Sequence, residues 1–331
     1  MLLHRIGKVR AAEFPPNIEW LNSKPLKMKE LLGKVVLLDF WTFSCANCLR
    51  VVHFLLDWQK KYESQGLVVI GVHSPEFAFE KEKENVECAI DRLGITYPVA
   101  LDPDYKIWNL YANRWWPRSF VVDHRGYIEY DHIGERGYAE TESAIQAALA
   151  AIGAKDLPAI TPDPLIGGGI CYRVTPETYL GFLRGRYGNG MDLVPNVEHS
   201  FTDQGNHEED LVYLHGHWLV GGEFIAHARD LSAPTEYILV KYGAFAVNAV
   251  LKPYQGGKAE VEVTFDGMPL PKEIAGIDIV YRGDQSIVKV TESRLYQLVN
   301  SERYHRGTLK ISTKSSNIAM YALTFGGCKD I

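Results

Sequence analysis

Cys45 and Cys48 stand two residues apart in VVLLDFWTFSCANCLRVVHFLLDW, where an apolar strand-like run leads into a cysteine pair and then an amphipathic helical pattern. A thiol at a helix N-terminus faces unpaired backbone N–H groups and the positive end of the helix dipole, and both favour the nucleophilic thiolate. Cys45 is therefore the expected nucleophile. Cys48, one turn further in, is placed to attack the mixed disulfide that Cys45 forms with a substrate, so the chemistry is thiol–disulfide exchange. Asp39, inside the same apolar run, is expected to be buried with a raised pKa and to take the proton from Cys48 during resolution. Its other reading is a hydrogen-bonded or solvated strand aspartate with no redox role. Trp115-Trp116-Pro117-Arg118 precedes another strand pattern. Pro117 reads either as a plain strand-start proline or as a cis-proline that holds the preceding backbone extended for pairing with a substrate segment.

Other reactive residues carry weaker patterns. Cys88, Cys171 and Cys328 are isolated in sequence, so the paired spacing of a structural zinc site is missing and no metal or other cofactor is expected. Cys88 reads as a small buried hydrophobe. Cys171 and Cys328 flank the C-terminal half and are expected to lie close in space. His215-Gly216-His217 with Glu223 faintly resembles a cupin metal set, but an ordinary strand is the expectation. Glu76 reads either as a carboxylate near the active-site rim or, more commonly for such a residue, as a helix-entry carboxylate. Tyr213, Trp218, Phe224 and Tyr237 could form a stacking platform for a sugar, or simply core.

The elements that must position these residues fall into two blocks. Strand patterns at Val35–Trp41, Leu67–His73, Tyr97–Leu101, Ser119–Asp123 and Tyr127–His132 alternate with helical patterns at Ala46–Ser64, Glu80–Leu93, Asp104–Tyr111 and Thr141–Ile152, as in an α/β domain. A hairpin turn is expected at residues 123–126. Pro158, Pro162 and Pro164, followed by three glycines, mark a linker at 155–169. This predicts a redox domain with an N-terminal extension over 1–154 and an all-β jelly-roll sandwich over 170–331, built on segments such as Glu236–Lys241, Ala259–Phe265, Ile287–Thr291, Leu309–Thr313 and Ile318–Phe325.

Composition sets the outer bounds. The 331 residues are 46% hydrophobic with a formal net charge of −6, a globular composition with no positive field for nucleic acid. No apolar stretch approaches the ~18 residues of a membrane span, and MLLHRIGKVRAAEFPP lacks the apolar core of a secretory signal.

Residues 33–152 resemble a thioredoxin-fold redoxin of the TlpA/ResA type, with GKVVLLDFW, CANC, GLVVIGVH, ITYPVALDPD and WWPRSFVVDHRGYI in that family's order. The similarity is closer still to DipZ-type thiol-disulfide interchange proteins. FWTFSCANCLR, GVHSPEFAFEKEKENV and the Trp-Trp-Pro loop have counterparts there, and TPETYLGF, HGHWLVGGE, SRLYQLVN and ALTFG resemble the C-terminal, carbohydrate-module-like domain. The resemblance implies Cys45 as attacking and Cys48 as resolving cysteine, Pro117 as cis-proline, Trp41 and Trp116 as active-site walls that meet substrate, and Asp39 as the counterpart of thioredoxin's buried aspartate. His53 stands where the family has a helix-kinking proline and Val51 where ResA-like proteins have a glutamate.

The expected function is a thiol-disulfide oxidoreductase that reduces protein disulfides, with a disulfide-bearing protein as substrate and an unidentified electron donor, since DipZ's membrane-embedded electron-delivering portion has no counterpart here. The C-terminal domain is expected to bind a carbohydrate or protein ligand. A thiol peroxidase is an alternative, from Thr42 three residues before Cys45, although Leu38 occupies the place of the upstream proline such enzymes use. A binding or scaffold protein centred on the sandwich is another. The expected location is cytoplasmic, or extracytoplasmic if the chain is part of a longer DipZ-like protein.

Overall fold

A computed structural model describes residues 9–163, 172–190 and 193–327, and the chain divides into two compact units, Met1–Ile166 and Gly167–Ile331. The first contains β1 (Glu19–Leu21), β2 (Val35–Trp41), α1 (Ala46–Tyr62), β3 (Leu67–His73), α2 (Lys83–Leu93), β4 (Val99–Leu101), α3 (Lys106–Leu110), β5 (Arg118–Val122), β6 (Ile128–Ile133) and α4 (Tyr138–Ala150). Its six strands form one sheet in the order β1-β4-β3-β2-β5-β6. β2 runs parallel to β3 and antiparallel to β5, and every one of its residues is buried, because a central strand covered on both faces needs a continuous apolar run. Leu38 and Phe40 pack on one face with Phe14, Trp20 and Trp108. α1 and α4 cover the other face, and Asp39, alternating with those residues, falls on that side. This is a thioredoxin fold.

Three local expectations change. The helix predicted over Glu80–Leu93 is a 3-10 turn, Ala78–Lys81, followed by α2, because the Glu80 carboxylate accepts from the Phe77 N–H at 2.9 Å and closes a separate turn. β1 is added as an antiparallel edge on β4. The start of the predicted linker is strapped to the domain. Thr161 N–H donates to Glu142, Gln146 donates to the Pro158 carbonyl, and Asp163 accepts from the first N–H groups of α4.

The second unit is an eleven-stranded antiparallel sheet. Its strands are β7 (Thr178–Tyr179), β8 (Val197–Phe201), β9 (Val212–Val220), β10 (Ile225–His227), β11 (Glu236–Pro253), β12 (Ala259–Phe265), β13 (Met268–Pro269), β14 (Ile279–Arg282), β15 (Gln285–Val290), β16 (Arg294–Thr313) and β17 (Ile318–Gly326). β11 pairs with β9 through Tyr237–Val240 and with β17 through Ala246–Pro253, on either side of a bulge near Ala244, while β10 joins β9 to β17. The sheet thus closes over a core that includes Leu214, Trp218, Ile238, Val247, Leu298 and Met320, which makes it a β-sandwich with shared strands. β11 and β16 are far longer than the short segments predicted. Gly243 and Gly307, just outside the predicted segments Glu236–Lys241 and Leu309–Thr313, lie inside these strands where a Cβ would stand 2.2 Å from the Tyr304 hydroxyl and 2.2 Å from the Phe265 ring. They are sites of close approach. Cys171 and Cys328 lie outside the described residues.

Candidate active site

α1 begins immediately after Cys45, whose backbone is extended (φ −86°, ψ 115°) and whose Sγ accepts the Cys48 N–H at 3.3 Å. The cysteine itself is the N-cap, so its sulfur occupies the place where a helix start offers bare N–H groups. Cys45 is half-buried and Cys48 is buried, and both are free thiols. Burial first, then the adjacent Cys45 sulfur and the charge of Asp39, push the Cys48 thiol well above the ordinary range. The pair is asymmetric: Cys45 is the less buried residue, and Cys48 holds its proton until something removes it.

Asp39 is 1% exposed, and burial raises its carboxyl to about 7 against the pull of a 2.6 Å hydrogen bond from Ser119 Oγ. Tyr97, fully buried, has its hydroxyl pushed up by burial and by the charges of Asp39 and Cys48. Asp39, Cys48 and Tyr97 are therefore three buried groups within electrostatic reach of one another.

The β2–β5 register pairs Phe40 with Arg118, so Pro117 lies beyond the same sheet end as the Cys45 loop. Its Trp116–Pro117 bond is cis. Trp116 is half-buried against Trp108, with centroids 4.4 Å apart, and its Nε1 donates to the Ser74 carbonyl. The expected wall role of Trp41 is corrected. It is fully buried, edge-on to His73 at 5.2 Å, because it belongs to the last core position of β2 and has no surface to offer a substrate. Trp115, which sequence reasoning passed over, is 46% exposed beside the proline loop.

Glu76 reads in sequence as a helix-entry carboxylate, but the buried carboxylate of this segment is Glu80, whose side chain accepts the Glu76 N–H. Glu80 also accepts from Ser44, the residue before Cys45. In sequence Glu80 opens the charged stretch EKEKE, which carries no signal of burial. Thr42, the residue behind the peroxidase alternative, is fully buried and 3.4 Å from Nε2 of His73, which burial keeps neutral by lowering its pKa to about 3. Val51 is buried, His53 is exposed, and α1 runs unbroken past both. Cys88 is exposed, against expectation, because α2 turns Val86, Ala89 and Ile90 inward instead.

In the second unit the four proposed stacking rings do not share a face. Trp218 is fully buried in the core and donates to the His215 carbonyl, Tyr213 is 5% exposed, Phe224 packs against Tyr254 and Tyr321, and Tyr237 stacks on His215. Among the described residues no group of three or more His, Cys, Asp or Glu side chains converges to hold a metal, and no helix is long and apolar enough to cross a membrane.

Residues 12–149 match the family Redoxin, and residues 175–326 match the family described as Thioredoxin like C-terminal domain. Protein DipZ of Mycobacterium tuberculosis is 32% identical over 324 residues, covering 93% of this chain and 41% of DipZ. Thiol-disulfide oxidoreductase ResA of Bacillus anthracis is 27% identical over 141 residues, covering 42% of this chain and 79% of ResA. A solved thiol:disulfide interchange protein of the thioredoxin family from Chlorobium tepidum matches with a TM-score of 0.37 at 24% identity, covering 43% of this chain and 97% of that one. Residues 12–149, with the cysteine pair at the head of α1, are thus a thioredoxin-like redoxin domain. Within that class the chain is related to DipZ and ResA, and it spans 41% of the length of the DipZ protein it matches.

Proposed function

We propose that the protein reduces disulfides in other proteins through Cys45 and Cys48. The observation that carries this reading is the asymmetry of the pair, an N-cap sulfur bonded to the Cys48 N–H and a buried partner thiol beside Asp39. The Cys45 thiolate attacks a substrate disulfide, forming a mixed disulfide and releasing one substrate thiolate. Asp39, raised to about 7, is ionised often enough near neutrality to take the Cys48 proton. The Cys48 thiolate then attacks Cys45 Sγ, closing the internal disulfide and releasing the second substrate thiolate. The substrate gains two electrons, and an external dithiol restores the pair. Pro117, with Trp116, forms the loop against which the substrate segment lies, and the sandwich is a non-catalytic module that positions substrate or partner.

The test is a Cys48→Ser variant of the full chain offered disulfide-bearing proteins. A stalled mixed disulfide through Cys45 supports the reading, and failure of both this trap and dithiol-driven insulin reduction by the wild type overturns it.

A further inference from the structure

Glu80 lies in the turn between β3 and α2 and is 1% exposed. Its two carboxylate oxygens face donors from two separate pieces of chain. Oε1 accepts the backbone N–H of Ser44 at 3.2 Å and Ser44 Oγ at 2.6 Å. Oε2 accepts the N–H groups of Glu76 at 2.5 Å and Phe77 at 2.9 Å. One carboxylate thereby joins the loop that carries Cys45 to the turn at Glu76–Phe77. That turn is gripped further along as well. The Ser74 carbonyl accepts from Trp116 Nε1 at 2.9 Å, the Pro75 carbonyl accepts from the Tyr105 hydroxyl, and Ser74 Oγ donates to Asp102 at 3.3 Å. Residues 74–80 are bonded at one end to the Cys45 loop and at the other to the residue before Pro117.

Three backbone N–H groups and one hydroxyl converge on the two oxygens, a set that a carboxylate accepts in full. A glutamine has a single acceptor oxygen and would turn its NH₂ group toward N–H donors, while an alanine leaves buried N–H groups without acceptors. Burying such a charge is costly, and burial raises its carboxyl to about 7. The thiol chemistry at Cys45, Cys48 and Asp39 makes no use of this group as acid, base or nucleophile. The titratable groups around it are Glu76 on its own segment, Cys45 one residue beyond Ser44, and neutral His73 on β3, which reaches it through Thr42.

We infer that Glu80 is a positioning residue of the reactive centre, fixing the Thr42–Ser44 loop so that Cys45 Sγ stands at the head of α1, and fixing the spacing between that loop and Trp116–Pro117. The inference rests on the exchange chemistry proposed for Cys45. Substrate disulfide must meet Cys45 in line while its backbone lies along the proline loop, so a loop free to shift by about 1 Å loses rate out of proportion to the displacement.

The test compares full-length wild type, Glu80→Gln and Ser44→Ala. Peptide-resolved iodoacetamide labelling of Cys45 across pH, dithiol-driven insulin reduction, and thermal unfolding are measured on each. Folded Glu80→Gln should label Cys45 and reduce insulin about tenfold more slowly, with a displaced pH profile, and Ser44→Ala should fall between it and wild type. A folded Glu80→Gln with wild-type rates and pH profile, whatever its melting temperature, overturns the inference. Where Glu80→Gln does not fold, Ser44→Ala decides: it leaves Glu80 its bonds to Glu76 and Phe77, and unchanged Cys45 labelling and insulin reduction in it also overturns the inference. Wild type that labels at Cys45 but reduces no disulfide refutes the proposed function instead, and the labelling comparison still reports on Glu80.

Discussion

Ser119 and Asp39 are direct register partners across β2 and β5, and the Ser119 hydroxyl donates to Asp39 Oδ1 at 2.6 Å. Oδ2 meets no described protein donor, so the carboxyl is held at one oxygen and left basic at the other. A fully hydrogen-bonded aspartate would be a poor proton acceptor, and an exposed one would titrate too low. The half-bonded, buried state is what places it near neutrality.

That state makes Asp39 a stability liability with a definite sign. Its folded pKa of about 7 exceeds the ordinary 3.8, so its favourable contribution is complete below 3.8 and is lost as pH rises through about 7. Asp39→Asn, neutral throughout, should be more stable than wild type at about pH 8 by roughly 2 kcal/mol, with the gain shrinking toward about pH 5. Denaturant melts at the two pH values measure it. The same variant should prolong the mixed disulfide about 100-fold, read by quenched-flow trapping. A stability gain that does not change with pH would show that Asp39 does not titrate in this range.

Labelling order tests the assignment of the two thiols. With Cys48 buried and its thiol pushed up, Cys45 should react with iodoacetamide at least about tenfold faster at neutral pH. Cys88 is exposed and will also label, so the measurement needs peptide mapping. Faster labelling of Cys48 would reverse the roles.

The candidate site was largely legible as a local arrangement because its signals are local. Strand, CxxC and helix adjoin in sequence, and an acidic residue in an apolar strand marks itself. Glu80 was not legible, since its acceptor role depends on Ser44, thirty-six positions away, meeting it in space. Trp41 misled because a tryptophan beside a motif looks the same whether its ring faces solvent or core. In the sandwich, the predicted segments stop short of Gly243 and Gly307, because sequence shows the missing side chain but not the Tyr304 and Phe265 side chains that fill the space.

Glu236 organises one end of the sandwich. Burial alone would raise its carboxyl, but the His217 N–H, Arg229 and His227 hold it down at about 2. Gly216, with φ +98°, lies against it, and a Cβ there would stand 2.3 Å from the Glu236 side chain. Gly216→Ala should therefore destabilise this unit by more than about 2 kcal/mol. Glu236→Ala, which takes the carboxylate partner from the fully buried His227 and the half-exposed Arg229 and leaves the His217 N–H without its acceptor, should cost about 2 kcal/mol. Because its pKa is depressed, the Glu236 contribution is present above 4.5 and is lost as pH falls toward about 2. A melt of either variant that matches wild type would remove Glu236 from the account of this unit's stability.

The redox unit should work alone, provided it is cut where its structure ends. Glu142 has a fully buried side chain that accepts from Tyr62 at 2.6 Å, from Lys61 at 3.2 Å and from the Thr161 N–H at 2.8 Å, and Asp163 caps the α4 N-terminus. A fragment ending at Ile152 loses the Thr161 and Asp163 contacts, leaves Glu142 under-bonded, and should be less stable than one ending at Asp163 by about 2 kcal/mol. Beginning at Asn22 would also remove Phe14, Trp20 and the β1 edge from the core. A fragment of residues 9–163 should reduce a small aromatic disulfide within about threefold of the full chain, since both cysteines, Asp39, Glu80 and Pro117 lie inside it. On the positioning role proposed for the sandwich, the fragment should act poorly on protein disulfides. A loss of more than about 100-fold on the small disulfide, some 2.7 kcal/mol of transition-state stabilisation, from a fragment shown to be folded would mean that the sandwich contributes to the exchange chemistry itself.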